Sequence, residues 1–217
     1  MITIYHVPRT RSARVIWLCE ELALPYEVVP VDFSPEYRKS AEWRRLNPIG
    51  KVPALTDVDA DGNPFTMIES GAMVHYILER YGEGRLQPPA GSPKSALFLQ
   101  WSWFAEASLA RPLGDMVHHR ILKPEPERIP AVVEDGRERA ELCLDAVEAT
   151  LEGCDYLLGR EFSAADIMMG YSLALAQRMG LLDERYPNVV AYLGRLEARP
   201  GFQTAFADGE RSGPLRD

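Results

Sequence analysis

One change of texture constrains this chain more than anything else in it. Strand signals occur only before residue 82, and after residue 93 the apolar residues recur at helical spacing alone. Between lies GEGRLQPPAGSP (82–93), with three Gly and three Pro and few apolar residues, a composition typical of linkers. A chain of 217 residues broken there has room for an α/β domain of about 80 residues and an all-helical one of about 120, each able to bury a core. The predicted partition is 1–82, a linker over 83–93, and 94–217.

Within the first part, ITIYHV (2–7) and YEVVPVDF (26–33) carry the β-branched and aromatic residues of strands. Between them 12–24 predicts a helix, with Val15, Leu18 and Leu22 on one face and Ser12 as N-cap. Strand, helix, strand is a βαβ unit with a parallel pair. A basic helix is expected over 35–46, then short strands over 53–58 and 65–68, bridged by Asp59-Ala60-Asp61-Gly62-Asn63-Pro64, a hairpin signal. A helix over 70–81 completes a small mixed four-stranded sheet covered by helices. Beyond the linker, helices are expected over 94–122 (bent at Pro112), 137–151, 163–179, 188–198 and 201–207. The 163–179 segment is apolar nearly all round, as a central core helix would be.

Lys and Arg number 24 against 32 Asp and Glu, a formal charge of −8. That balance argues against a general nucleic-acid binder and against an anionic membrane surface. No 18-residue apolar run and no secretory leader are visible, and the three cysteines (Cys19, Cys143, Cys154) form no CxxC pair. A disulfide framework is not expected, and a reducing cytoplasmic setting is. No GxGxxG, P-loop or GxSxG is present. His118 and His119 are adjacent rather than four apart, and His6 and His75 stand alone, so no metal site is expected.

Four constellations carry chemistry. Arg9-Thr10-Arg11-Ser12-Ala13-Arg14 leads from a strand into a helix N-terminus, where open α/β sheets bind anions. The alternative is a plain N-cap among solvated arginines. Asn47-Pro48-Ile49-Gly50-Lys51-Val52-Pro53 puts a Pro at the start of a strand. A cis bond there would free both backbone groups of Val52 for a peptide ligand, and a plain turn is the alternative. Glu69 and Ser70 open a helix, where they can hold an α-amino-acid group or simply cap it. Ser163 and Asp166 fit a structural capping box.

Together these segments resemble the glutathione S-transferase family along essentially the whole chain: YHVPRTRSARVIWLCEEL, LNPIGKVPAL, MIESGAMVHYILERYG and FSAADIMMG, in that order. The resemblance implies a thioredoxin-like N-terminal domain that binds glutathione and an all-helical domain that forms much of the electrophile site. It implies Val52 as backbone partner of the cysteinyl group, Pro53 as the cis residue, and Glu69 and Ser70 at the γ-glutamyl end. Arg11 and Lys51 join the glutathione site, and RKSAEWRRLNP implies Arg38 and Lys39 at the glycyl carboxylate. The thiol-activating hydroxyl falls on Thr10, with Ser12 the rival and Tyr5 a third position. No Cys occupies the loop, unlike the members that perform thiol–disulfide chemistry, and the Ser-Ser-Cys signature of isomerase-like members is missing. Trp103, Phe104, Met116 and His119 are the candidate wall of the electrophile pocket, or else core.

The implied protein is a cytoplasmic homodimer that transfers glutathione, as co-substrate and without metal, to small hydrophobic electrophiles in detoxification. A peroxidase, dehalogenase or isomerase on the same site, or a non-enzymatic binding protein, are the alternatives. Local charge agrees with an anionic ligand: residues 9–14 carry +3 and 36–51 another +3, while 134–152 carry −5.

Overall fold

The computed structural model describes residues 1–59 and 61–210. Ala60, inside the expected 59–64 turn, and residues 211–217, the tail of the expected helical domain, lie outside the described residues. The chain forms two compact units, one of Met1–Arg85 joined by the chain from Pro200, the other Leu86–Arg199.

In the first unit β1 (Ile2–His6) pairs parallel with β2 (Tyr26–Pro30) and antiparallel with β3 (Ala54–Val58), which pairs antiparallel with β4 (Pro64–Ile68). The order is β2-β1-β3-β4. Alternation along β1 buries Ile2, Ile4 and His6 on one face. β2 is an edge strand and stops at Pro30, which cannot donate to a ladder, so the expected 26–33 strand is shorter. α1 (Ser12–Glu21) also ends before the expected residue 24. Ala23 turns left-handed (φ 53°), its N–H donating to the Glu20 carbonyl (3.1 Å) and that of Leu24 to Cys19 (2.9 Å), a Schellman stop.

The expected 35–46 helix is two helices, α2 (Pro35–Lys39) and α3 (Ala41–Leu46). Ser40 divides them: it is extended, and its hydroxyl accepts the Trp43 N–H at 3.1 Å, so it caps a new helix instead of continuing the old one. α4 (Ser70–Tyr81) follows β4.

Nearly every residue of α1 is buried, because its two sides are covered by different elements. The sheet and α4 lie on one. On the other lies the last described helix, whose Phe202 ring meets Trp17 edge-on at 5.0 Å. A Cβ on Gly201 would stand 2.8 Å from Trp17, so glycine permits this approach. The expected 201–207 helix is thus longer (Pro200–Glu210) and packs in the first unit rather than among the helices of 94–199.

The second unit contains helices and their connections. α5 (Pro93–Trp103) runs through a widened π turn (Phe104–Leu109) into α6 (Ala110–Val117) and a second π turn (His118–Leu122). In place of one continuous α-helix there are two α-helical segments, with a π turn between them and another after the second. Pro112 has no N–H for the carbonyl four residues back, and the wide turn lies directly before it. α7 (Pro130–Thr150) begins two turns earlier than the expected residue 137, with Pro130 in its first turn. Gly136, which hid that start, lets α6 approach: a Cβ there would meet Met116 at 2.8 Å.

α8 (Ala164–Arg178) is the buried centre, packed by α5, the first π turn and α9 (Pro187–Glu197). The helix of Pro200–Glu210 is α10. The capping box forms: the Asp166 carboxylate accepts from the N–H groups of Ser163 (2.8 Å) and Leu157 (3.0 Å) and the hydroxyls of Ser163 (2.9 Å) and Tyr192 (2.7 Å). Burial raises the Asp166 carboxyl above its usual range, and these four donors oppose the rise. Among the described residues no helix is long and apolar enough to cross a membrane.

Asp57, buried at β3, ties α4 to the sheet by accepting from the Tyr76 (2.9 Å) and Tyr81 (2.6 Å) hydroxyls. Burial raises its carboxyl, but these hydroxyls and the Val58 N–H outweigh that and hold it below the usual carboxylate range. A carboxyl lowered on folding adds stability above its unfolded pKa of about 3.9 that is lost as pH falls through the folded value. Asp57→Asn is expected to flatten that acid limb, measured as urea midpoints from pH 6 downward; a limb as steep as the parent's would contradict the assignment.

Candidate functional site

Sheet register places the site. Tyr5 pairs with Ala54, and Ala54 pairs with Ile68, so the end of β1, the start of β3 and the end of β4 form one row across the sheet. The loop after β1, the loop before β3 and the turn into α4 therefore emerge at the same edge. The sequence-predicted residues Thr10, Arg11, Ser12, Lys51, Val52, Pro53, Glu69 and Ser70 all lie on these three connections.

In the first loop Arg9 is left-handed (φ 64°), and the chain folds back so that the Thr10 N–H reaches the Val7 carbonyl at 3.3 Å. The Thr10 hydroxyl donates to the same carbonyl at 2.8 Å and lies 2.8 Å from the Ser12 hydroxyl, which in turn lies 2.7 Å from His6 Nδ1. Ser12 is fully buried and Thr10 half-buried. Thr10 is thus the hydroxyl a ligand can reach, and Ser12 the one behind it. Tyr5, on the opposite face of β1, packs against Trp43 with ring centroids 5.9 Å apart and takes no part in this loop.

The second loop carries a cis Val52–Pro53 bond, as expected. Val52 lies outside the β3 ladder, which begins at Ala54. The loop is pinned by buried Asn47, whose side-chain amide donates to the Lys51 (2.7 Å) and Pro53 (3.3 Å) carbonyls. Gly50 is left-handed (φ 65°), and a Cβ there would stand 2.5 Å from the Arg38 carbonyl. That contact brings the end of α2, with Arg38 and exposed Lys39, alongside the loop with exposed Lys51. The Arg38 guanidinium lies over the Phe33 ring at 4.7 Å.

At the third connection Glu69 is exposed and held at φ 73°, an unfavourable conformation for a residue with a side chain. Such conformations persist where surrounding structure enforces them, and they cluster at ligand sites. Ser70 is buried, and its hydroxyl accepts from Arg14 Nη1 at 3.2 Å. Arg14 itself is fully buried in α1, so this bond joins the first loop's helix to the start of α4 from within.

The four candidate wall residues lie in the second unit and fare differently. Trp103 is 62% exposed, and half-buried Phe104 lies against Trp101 at 5.1 Å. His119 is half-buried, its Nδ1 accepting the Ile129 N–H at 3.2 Å. Met116 takes the core alternative: it is 0% exposed and held under α7, where Gly136 makes room for it.

Sequence reasoning missed three contributors. His6 stands alone in sequence, yet strand alternation from Ile2 and Ile4 already pointed it inward. Asn47 was visible only as the residue before a Pro. Arg14 belonged to a basic cluster that gave no sign of its burial. Cys19, buried in α1, has its thiol pushed up to about 12, chiefly by burial, which removes it from nucleophilic chemistry. Among the described residues no group of three or more His, Cys, Asp or Glu is arranged to hold a metal.

The chain is similar to known proteins along its whole length. Residues 1–79 match the family described as glutathione S-transferase, N-terminal domain, and 130–195 the C-terminal domain. It is 30% identical to the glutathione S-transferase-like protein tpcF of Aspergillus fumigatus, over 95% of each chain. It is 32% identical to glutathione S-transferase 3 of Zea mays, over 95% of this chain and 93% of that one. The disulfide-bond oxidoreductase YfcG of Escherichia coli is 28% identical over 92% of each. Among solved structures, glutathione transferase URE2P8 of Phanerochaete chrysosporium with oxidized glutathione has a TM-score of 0.85 at 26% identity, covering 97% of this chain and 95% of that one. The fold is accordingly a thioredoxin-like unit followed by a helical one.

Gly50→Ala meets both a left-handed backbone and the Arg38 carbonyl. It is expected to lower stability by about 1–3 kcal/mol and to displace the 47–53 loop. Thermal melts and amide chemical shifts at Asn47, Lys51 and Val52 test this; shifts confined to residue 50 would contradict it.

Proposed function

From a chain that belongs to the glutathione S-transferase family, we infer a glutathione transferase that activates the glutathione thiol for attack on small hydrophobic electrophiles. The observation that carries this reading is the reachable Thr10 hydroxyl, 2.8 Å from a buried Ser12 partner, on the edge where the cis-Pro53 loop and the Glu69–Ser70 turn also emerge. On this reading the Val52 backbone pairs with the cysteinyl group as an added strand would. Glu69 holds the γ-glutamyl ammonium, and the Ser70 N–H and hydroxyl hold its carboxylate, with Arg14 behind. Arg38 and Lys39 hold the glycyl carboxylate, and Arg11 and Lys51 add positive potential for an anionic tripeptide. Trp103, Phe104 and His119 remain the proposed electrophile wall.

Thiolate, not thiol, is the nucleophile, and a free thiol has a pKa near 8.5. Lowering it by about two units takes about 2.7 kcal/mol of preferential stabilisation of the anion. One charge-assisted hydrogen bond of about 1.5–3 kcal/mol from Thr10, with the N-terminal end of α1 adding about 0.3–1 kcal/mol, is of that size. The thiol proton leaves to water, and the sulfur forms a C–S bond to an electrophilic carbon held in an apolar pocket, while the carbon's leaving group, such as a halide, departs with its bonding electron pair. The same reading makes the protein a cytoplasmic homodimer acting in detoxification.

A second reading is favoured by the full-length likeness to a disulfide-bond oxidoreductase. With Cys19 buried and its thiol raised, exchange on this scaffold would run on glutathione alone: the bound thiolate attacks a disulfide, one sulfur leaves as thiolate, and a second glutathione completes the reduction. Parallel assays with an aryl halide, a peroxide and a small disulfide decide between the two.

Thr10→Ala is expected to raise the thiol pKa of bound glutathione by about 1–2 units, and so to lower the rate at pH 7 about 3- to 25-fold. Thiolate absorbance against pH reads this, and an unchanged profile would remove Thr10 from the role. Glu69→Ala is expected to abolish retention on immobilised glutathione; retention at parental strength would refute the pocket.

A further inference from the structure

We propose that His6 is a positioning residue for thiolate formation: its Nδ1–H, donated to Ser12, sets the direction of a buried hydrogen-bonded chain and so releases the Thr10 proton for the sulfur. The proposal rests on the reading of Thr10 given above.

The chain runs from His6 Nδ1 to Ser12 Oγ (2.7 Å), then to Thr10 Oγ1 (2.8 Å), which donates to the Val7 carbonyl (2.8 Å). Each hydroxyl has one proton and two lone pairs, so the chain has two directions, and the longer 3.3 Å approach of Ser12 to the Val7 carbonyl is the other place its proton can go. With the imidazole proton on Nδ1, His6 donates to Ser12 and Ser12 donates to Thr10. Thr10 then accepts from behind, and its own proton points outward. With Nδ1 as acceptor, the Ser12 proton goes to His6, and the Ser12 oxygen competes for the Thr10 proton. In the first direction the Ser12 oxygen no longer competes for the Thr10 proton, and the Val7 carbonyl is the acceptor a thiolate has to displace. That direction also strengthens donation to the thiolate, because a hydroxyl that accepts a hydrogen bond is polarised as a donor.

Two features support this direction. The Val7 carbonyl receives the Thr10 N–H (3.3 Å), so it keeps a partner when the Thr10 hydroxyl turns to a ligand. His6 and Ser12 are also buried, 6% and 0% exposed, so water cannot stand in for the imidazole at the inner end. The arrangement lies wholly behind Thr10, so His6 itself touches no ligand.

The test compares the parent with His6→Phe, His6→Asn and Thr10→Ala, each with bound glutathione, by thiolate absorbance and by kcat and KM from pH 5 to 9. The charged side chains of the loop and of the first turn of α1 are the guanidiniums of Arg9, Arg11 and Arg14, Glu20 and Glu21 stand at the far end of α1, and all five are common to the four proteins. Exposed Lys51 and Glu69 at the same edge are common to all four proteins. His6→Phe is expected to raise the thiol pKa by about half a unit to one unit, a three- to tenfold loss of thiolate and of kcat at about pH 5 to 5.5, below the parent's thiol pKa, with KM for glutathione within about twofold of the parent. His6→Asn, whose side-chain amide can donate in the same place, is expected to recover most of the loss.

Curves for His6→Phe that superimpose on the parent's overturn the proposal, as does an equal loss in His6→Phe and His6→Asn. Should His6→Phe not fold, Ser12→Ala breaks the same chain at its middle and is held to the same outcomes. A Thr10→Ala profile that shifts while the His6 profile does not refutes the role of His6 alone. An unshifted Thr10→Ala profile, or a parent that binds no glutathione, refutes the reading beneath it.

Discussion

β1 is paired on both sides, parallel to β2 and antiparallel to β3, and the candidate site depends on that double pairing. The parallel partner requires a crossover, and α1 supplies it, so the loop after β1 opens directly into a helix N-terminus. The antiparallel partner reverses chain direction, so the segment before β3 meets the loop after β1 at the same edge. β4 reverses it once more and delivers Glu69 and Ser70 there. A one-residue slip of β1 would turn His6 out of the core and Tyr5 into it, and the hydroxyl array would lose its inner end.

Buried polar groups then hold the frame at chosen points. Arg14 reaches Ser70 beneath the site, Asp57 receives two tyrosine hydroxyls from α4, and Asp166 receives four donors at the start of α8. Each is an ionisable side chain in a buried setting, where removing one hydrogen-bond partner costs about 1–3 kcal/mol. Such contacts add little net stability compared with apolar packing of the same volume. What they supply is a unique arrangement, because a register or helix rotation that breaks them is penalised.

Much of this was legible in the sequence, and the reasons are local. The βαβ start, the Asp-Gly hairpin and the Ser163–Asp166 box are carried by neighbouring residues, so their patterns survive without tertiary information. Element ends were less legible. Ser40 breaks a helix because its hydroxyl captures the Trp43 N–H, and Ala23 ends one in a conformation usually left to glycine. The hydroxyl loop, cis-Pro53 and the Glu69–Ser70 turn could be placed on connections, but the inner layer could not be read. His6, Asn47 and Arg14 act through contacts with the loops' undersides, and nothing in a linear string marks a histidine as lying beneath a serine six residues on. The choice between wall and core for Met116 was hidden for a related reason: its neighbour is a glycine twenty residues away that leaves room for it.

The packing of α10 on α1 has a temporal consequence. During synthesis the first 85 residues leave the ribosome long before Phe202 and Phe206 do, yet those rings cover the outer side of Trp17. Until they arrive, the nascent α/β unit presents an indole and the adjacent surface of its first helix to solvent and to whatever binds exposed apolar surface. The two ends of the chain must meet for one core to close, so a fold that begins as a local βαβ unit finishes as a long-range event.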